Sequence, residues 1–171
     1  MKHNIFKIGI FTSLLVIFSW ISIPLPFGVP FTLQVFGIFL VSFFLKKDAW
    51  KVLIVYLILG TIGLPVFSNF TGGIGRIFGP TGGFLLGFLF SSFIPLFIKN
   101  KRIFTGIIQL ILIYTFGVLW FTKFTDFTLL KSFQILVPTF IFWDILKLFL
   151  AFIVVTSVEK RLGFSLNKNS L

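Results

Sequence analysis

Six long apolar runs alternate along the chain with short polar connections or stretches rich in glycine and proline. They cover about residues 8–23, 31–45, 49–64, 80–98, 103–121 and 135–158. Runs of this length and apolarity predict helices that cross a hydrocarbon layer. The expected fold class is an all-α integral membrane protein, a six-helix transmembrane bundle. No polar stretch is long enough to bury a core of its own, so residues 1–171 are read as a single membrane domain. The first run leads into Pro24-Leu25-Pro26-Phe27-Gly28-Val29-Pro30 and not into a small-residue cleavage site. It is therefore read as a retained helix.

Composition agrees with this pattern: 57% of residues are hydrophobic and 11% are charged, against about 25% charged in soluble domains. The net charge of +11 would suit nucleic acid if it were spread over one surface. Instead the cations sit in short clusters between apolar runs, which is the pattern of membrane topology signals. With the N-terminus in the cytoplasm, the inner segments hold Lys2, Lys7, Lys46, Lys47, Lys51, Lys99, Lys101, Arg102, Lys160, Arg161 and Lys168. The outer loops hold only Arg76, Lys123 and Lys131. This asymmetry predicts both termini inside and a multi-pass protein of the bacterial cytoplasmic membrane, with the lipid bilayer and not nucleic acid as its partner. The proline-rich loop and the glycine-rich stretch Pro65–Gly83 then face outward.

Candidate chemistry is sparse. There is no cysteine, and the single histidine, His3, lies near the N-terminus, so no metal site or cofactor is expected. Asp144 and Lys147 interrupt the last apolar run three positions apart, on one face of a helix. A charge at the centre of a membrane helix costs at least roughly 2.5–3.5 kcal/mol, so such residues face a protein interior or a wet cavity. The pair either neutralises itself so that the helix can insert, or forms a polar ligand site. Thr32 and Gln34, just after Pro30, either cap a helix start or point at a ligand there. Pro65–Gly83 contains Asn69, Arg76 and a Gly79-Pro80-Thr81-Gly82-Gly83 turn that leads into Phe84. Gly82 and Gly83 permit close backbone approach to a ligand, but the turn lacks the lysine of a P-loop. Gly83 and Gly87 also read as a packing face, as do Gly9 and Ser13 in the first run. Arg76 is either a solvated loop charge or a guide for an anion.

Four stretches are similar to signatures of the BioY family: Val29-Pro30-Phe31-Thr32-Leu33-Gln34, Gly60-Thr61-Ile62-Gly63-Leu64-Pro65-Val66-Phe67, the run from Gly72 to Phe84, and the Asp-x-x-Lys of Asp144 and Lys147. They occur in the family's order and span most of the chain. The resemblance implies the biotin-specific S component of an energy-coupling factor transporter. That subunit would capture biotin from outside and deliver it inward with a transmembrane coupling protein and two cytoplasmic ATPases. Asp144 would accept the ureido N–H groups, and Lys147 would donate to the ureido oxygen or to the carboxylate. Asn69, Thr32 and Gln34 would complete the polar contacts, with Phe31, Phe84 and Trp143 as apolar walls and residues 67–79 as a lid. Gly9 and Ser13 match the small residues of the first helix that face the coupling protein. The chain departs from the family where Phe142-Trp143 precedes the aspartate in place of the usual Pro-Gly.

A different class of reading is a small ion-coupled secondary transporter or channel in which Asp144 and Lys147 relay ions. Enzymatic activity is not expected, because no second carboxylate, histidine or ligand set accompanies the pair. The chain also has no Walker motif, so uphill transport would draw on ATPase partners.

Overall fold

Turn chemistry decides where each apolar run becomes a helix and where it stops. The computed structural model describes residues 2–98 and 101–161. Lys99 and Lys168, two of the inner cations counted above, lie outside the described residues. Helix α1 (Lys2–Trp20) ends before its apolar run does. The chain turns there into strand β1 (Ser22–Ile23), which pairs antiparallel with β2 (Phe31–Thr32), Ser22 opposite Thr32 and Ile23 opposite Phe31. Between them Pro24, Pro26 and Pro30 have no N–H to continue a helix. Gly28, at φ +81°, closes the turn with its N–H on the Leu25 carbonyl. The protein is mostly helical, as expected, and among the described residues it also carries one short two-stranded ribbon. The ribbon also delays helix α2 (Gln34–Leu45), which starts after Phe31 and Thr32. The Thr32 hydroxyl accepts the Gln34 N–H at 3.2 Å.

Nine of the twelve residues of α2 are buried, as befits a helix that is apolar all round. It packs on α1 and, from the other side, on the last helix. Lys46, at φ 48°, breaks it, and a short 3₁₀ turn leads into α3 (Ala49–Thr61). After a long excursion that includes α4 (Ile74–Ile77), the fourth apolar run divides into α5 (Gly82–Ser91) and α6 (Ile94–Phe97). Pro95 explains the break, since its ring conflicts with the carbonyl four residues earlier, that of Ser91. Helix α7 (Arg102–Phe124) is followed by α8 (Leu129–Arg161), which starts well before Ile135. The polar residues Lys131 and Gln134 do not delay it, because they lie on its exposed side while Ser132 and Leu136 turn inward.

Small residues set the closest contact, between α5 and α7. Gly83 lies against the Trp120 side chain and the Phe116 carbonyl, Gly87 against the Ile113 backbone, and Gly117 under the Phe84 ring. A β-carbon at any of the three would overlap its neighbour. Gln109 ties three helices together: its Nε2 donates to Ser42 Oγ of α2 at 2.7 Å and to the Ser91 carbonyl of α5 at 3.0 Å. The fully buried core includes Leu15, Ile38, Phe39, Phe43, Leu53, Tyr56 and Phe121.

Helices α7 and α8 are long and apolar enough to cross a hydrocarbon layer. Their outward sides expose Ile107, Ile111, Phe142, Phe149 and Ile153. An apolar belt of this extent is the surface of a membrane protein. At one end of the helices, an ion pair between Arg102 and Glu159 joins the start of α7 to the end of α8. Near the other end of α7, Trp120 Nε1 donates to the Gly79 carbonyl in the turn between α4 and α5.

Candidate functional site

Asp144 and Lys147 stand on the inward face of α8, which is buried at Leu136, Phe140, Asp144, Lys147, Leu148, Ala151 and Val155. That is the i, i+4, i+7, i+8 stripe of a helix with one inner side. Asp144 is only 4% exposed and Lys147 only 6%. Lys147 Nζ donates to Asp144 Oδ1 at 2.8 Å and to the Thr32 carbonyl at 2.7 Å. It also lies 4.3 Å from the centre of the Phe31 ring. The second carboxylate oxygen, Oδ2, accepts the Tyr114 hydroxyl of α7 at 2.6 Å. Ribbon, α7 and α8 are thus joined by one closed set of charge-assisted bonds. Such closure is what allows ionic groups to stay buried.

A second polar chain runs beside it. Gln34 Nε2 donates to Tyr56 Oη at 2.8 Å, and Tyr56 Oη donates to the Val66 carbonyl at 2.9 Å. This bond draws the segment after α3 onto the helices. The ring of Phe67 covers Gly60, where a β-carbon would strike it.

Members of both sets border a cavity of about 60 Å³, roughly four to six water positions. Thr32, Gln34, Arg76, Phe84, Asp144 and Lys147 line it. Arg76 reaches it from α4, its Nε donating to Thr71 Oγ1 at 2.8 Å. Among the described residues, no carboxylate pairs with Arg76. Asp144 and Lys147 cancel, so the cavity wall carries one net positive charge. It offers a deep polar floor, apolar sides and a cation near α4, and so suits a small anion whose other end is neutral and polar.

Other residues singled out from the sequence lie elsewhere. Asn69 is exposed, and its side chain accepts the Ser22 hydroxyl at 2.8 Å. Gly82 and Gly83 pack against Trp120 and do not border the cavity. Trp143 is half-exposed on the outer side of α8, edge-on to Phe31 at 5.9 Å, while Phe31 stacks on Phe140 at 6.4 Å. Gly9 and Ser13 fall on an exposed stripe of α1 with Ile5 and Ile17.

Sequence reasoning missed several wall residues: Ser68, Thr81, Tyr114 and Phe140. Tyr114 is the most consequential of them. Its signal was a lone phenol in the middle of an apolar helix, where a hydroxyl needs a partner.

Comparison with known proteins agrees with this geometry. Residues 2–164 match the BioY family. The chain is 40% identical over 165 residues to the biotin transporter BioY of Thermotoga maritima, covering 92% of this chain and 96% of that protein. It is 36% identical to a protein of Pyrococcus horikoshii described as a probable biotin transporter BioY, covering 89% and 93%. In three dimensions it is similar to the crystal structure of the S-component for biotin from an ECF-type ABC transporter. The TM-score is 0.83 at 26% identity, over 93% of this chain and 92% of that one. With a family match over nearly its whole length and the signature residues gathered around one cavity, the chain belongs to the BioY family.

Proposed function

We propose that this protein is the biotin-binding membrane subunit of an ECF-type transporter. It takes biotin from outside the cell and delivers it inward with a coupling protein and two ATPases. The observation that carries this reading is the cavity wall. Biotin has a ureido head with two N–H donors and one acceptor oxygen, an apolar bicycle, and a carboxylate at the end of a chain. Asp144 and Lys147 supply acceptor and donor on the floor, Phe84 and Phe140 supply apolar sides, and Arg76 supplies a cation for the carboxylate. The lining charges favour this orientation: of Arg76, Asp144 and Lys147, only Arg76 has no ion-pair partner among the described residues. An ion relay fits less well, because both partners of the Asp144–Lys147 pair are held by fixed internal bonds.

In this reading six spans place both termini inside, with the ribbon and α4 at the outer surface. The inner cations set that orientation. The exposed stripe of Gly9 and Ser13 on α1 is where the coupling protein docks, small residues allowing close helix approach.

Calorimetric titration of biotin into the purified protein tests the function. Saturable binding near one equivalent is expected; no heat from a folded protein would remove the assignment. The orientation has its own test. Arg76→Ala is expected to weaken biotin about tenfold while leaving biotin methyl ester almost unaffected, since the ester has no charge to lose. Equal losses for both ligands would place the carboxylate elsewhere. For the docking stripe, Gly9→Leu should bind biotin normally yet co-purify poorly with the coupling protein. Undiminished co-purification would move that interface off α1.

A further inference from the structure

A tyrosine set back from the cavity decides which end of an amide lines it. Tyr56 is fully buried on α3, and its Oη has two polar neighbours, Gln34 Nε2 at 2.8 Å and the Val66 carbonyl at 2.9 Å. A backbone carbonyl can only accept, and two oxygens this close need a proton between them, so the phenol proton belongs to Val66. Toward Gln34 the phenol then has only lone pairs. Of the two ends of an amide, the oxygen accepts and the nitrogen donates. The Gln34 amide must therefore give its nitrogen to Tyr56 and turn its oxygen another way.

That oxygen is left for the cavity. Gln34 is 4% exposed and forms part of the cavity wall. No bond to its Oε1 is found among the described residues, yet the atom is not sealed in the packing: the sealed side-chain atoms without a partner there are Gln109 Oε1 and Ser132 Oγ. Gln109 shows the opposite outcome. Its nitrogen is likewise held, by Ser42 and Ser91, but its oxygen is closed off. Tyr56 itself does not border the cavity, so its effect there passes through Gln34.

We infer that Tyr56 is a positioning residue for the ligand: by taking Gln34 Nε2 it presents Gln34 Oε1 to the cavity as an acceptor for an N–H of the bound head group. This rests on the biotin reading above and deepens it. The donors that biotin carries at neutral pH are its two ureido N–H groups, which point apart on a rigid ring, so one carboxylate does not reach both. Asp144 on α8 and Gln34 at the start of α2 offer acceptors from two separate elements. Without Tyr56 the amide is free to turn, and its nitrogen then meets an N–H donor with another donor.

The test is biotin affinity in a double-mutant cycle of Tyr56→Phe and Gln34→Ala. Phenylalanine keeps the ring and removes both bonds of the hydroxyl, so Tyr56→Phe also loses the tie to Val66. The cycle separates the two effects. The tie to Val66 is lost whether or not Gln34 is present, whereas the orientation of an amide matters only where there is an amide. Tyr56→Phe is expected to weaken biotin about tenfold in the protein with Gln34, and by less than about threefold after Gln34→Ala. An equal loss in the two backgrounds would make Tyr56 purely structural and overturns the inference while leaving the biotin reading in place. Native affinity in Tyr56→Phe or in Gln34→Ala overturns it as well. Where Tyr56→Phe fails to fold, the wild type decides. With glutamine labelled at ¹³Cδ, the chain has three side-chain signals, from Gln34, Gln109 and Gln134. The signal that Gln34→Ala removes should move on saturation with biotin; an unmoved signal overturns the contact. If wild type itself fails to bind biotin, the functional reading falls first and this one with it.

Discussion

Asp144→Asn lowers biotin affinity about a hundredfold, the loss of a charge-assisted bond to the ligand together with disorder in its neighbours. Two donors converge on this side chain, Lys147 Nζ on one oxygen and Tyr114 Oη on the other. Asparagine has one acceptor and one donor. If its oxygen keeps Lys147, its amide nitrogen faces Tyr114. That hydroxyl must then give up its bond to residue 144 as a donor and turn its proton elsewhere. Folding suffers too, since Lys147 is 6% exposed and removing the partner of a buried ion costs about 3–5 kcal/mol. A second variant separates the two effects. Asp144→Leu with Lys147→Met removes both charges, so thermal stability should recover to near wild type while biotin binding stays absent. A double variant that binds, or a single variant with native affinity and native melting, would show that the pair serves only to let α8 pack.

How far the sequence could foretell this site depended on how costly each residue is in its setting. Asp144 and Lys147 were legible because charge in an apolar run is expensive and must be answered by structure. Tyr114 was less legible, because a tyrosine is mostly ring and its hydroxyl marks an apolar helix far more weakly than a charge does. Trp143, expected as an apolar wall, stands next to Asp144 in sequence, but adjacent residues on a helix diverge by about 100°. The residue that shares Asp144's face is four positions earlier, and Phe140 is the aromatic of α8 that lines the cavity. Gly83 illustrates the opposite ambiguity. Its place in a glycine-rich turn suggested ligand contact, whereas its packing against Trp120 and Phe116 resembles the small-residue face expected of Gly83 with Gly87. Helical content was legible in the apolar runs, but the β1–β2 ribbon was not. Two residues per strand are too few for any period to register, and its pairing depends on segments brought together by the turn between them.

Joining Ser22 to Asn69 by a disulfide traps biotin in the protein. These positions are where the outer segment after α3 is tied to the end of α1. Ser22 Oγ accepts the Asn69 N–H at 3.0 Å and donates to Asn69 Oδ1 at 2.8 Å. Trp20 Nε1 donates to the Pro65 carbonyl at 2.6 Å, Ser19 Oγ donates to the Val66 carbonyl, and the Phe70 ring stacks on Trp20 at 5.0 Å. Asn69 and Phe70 both hold left-handed backbone, at φ 57° and 54°, a conformation that costs residues with a β-carbon roughly 1–2 kcal/mol each. Asparagine tolerates it and phenylalanine does so poorly, so the ties to α1 are what keep this shape. Phe67 and Ser68 on the same segment form part of the cavity wall. Lifting the segment therefore opens the site, and holding it down closes the site. The chain has no cysteine, so Ser22→Cys with Asn69→Cys creates its only disulfide. Loaded with labelled biotin and then oxidised, this protein should release ligand about a hundredfold more slowly than after reduction, since exit must wait for lid opening. Trp20→Ala works in the other direction, speeding release by loosening the tie. Equal release from oxidised and reduced protein would mean that biotin leaves by another route, and the strained pair at Asn69 and Phe70 would then be a feature of the closed wall alone.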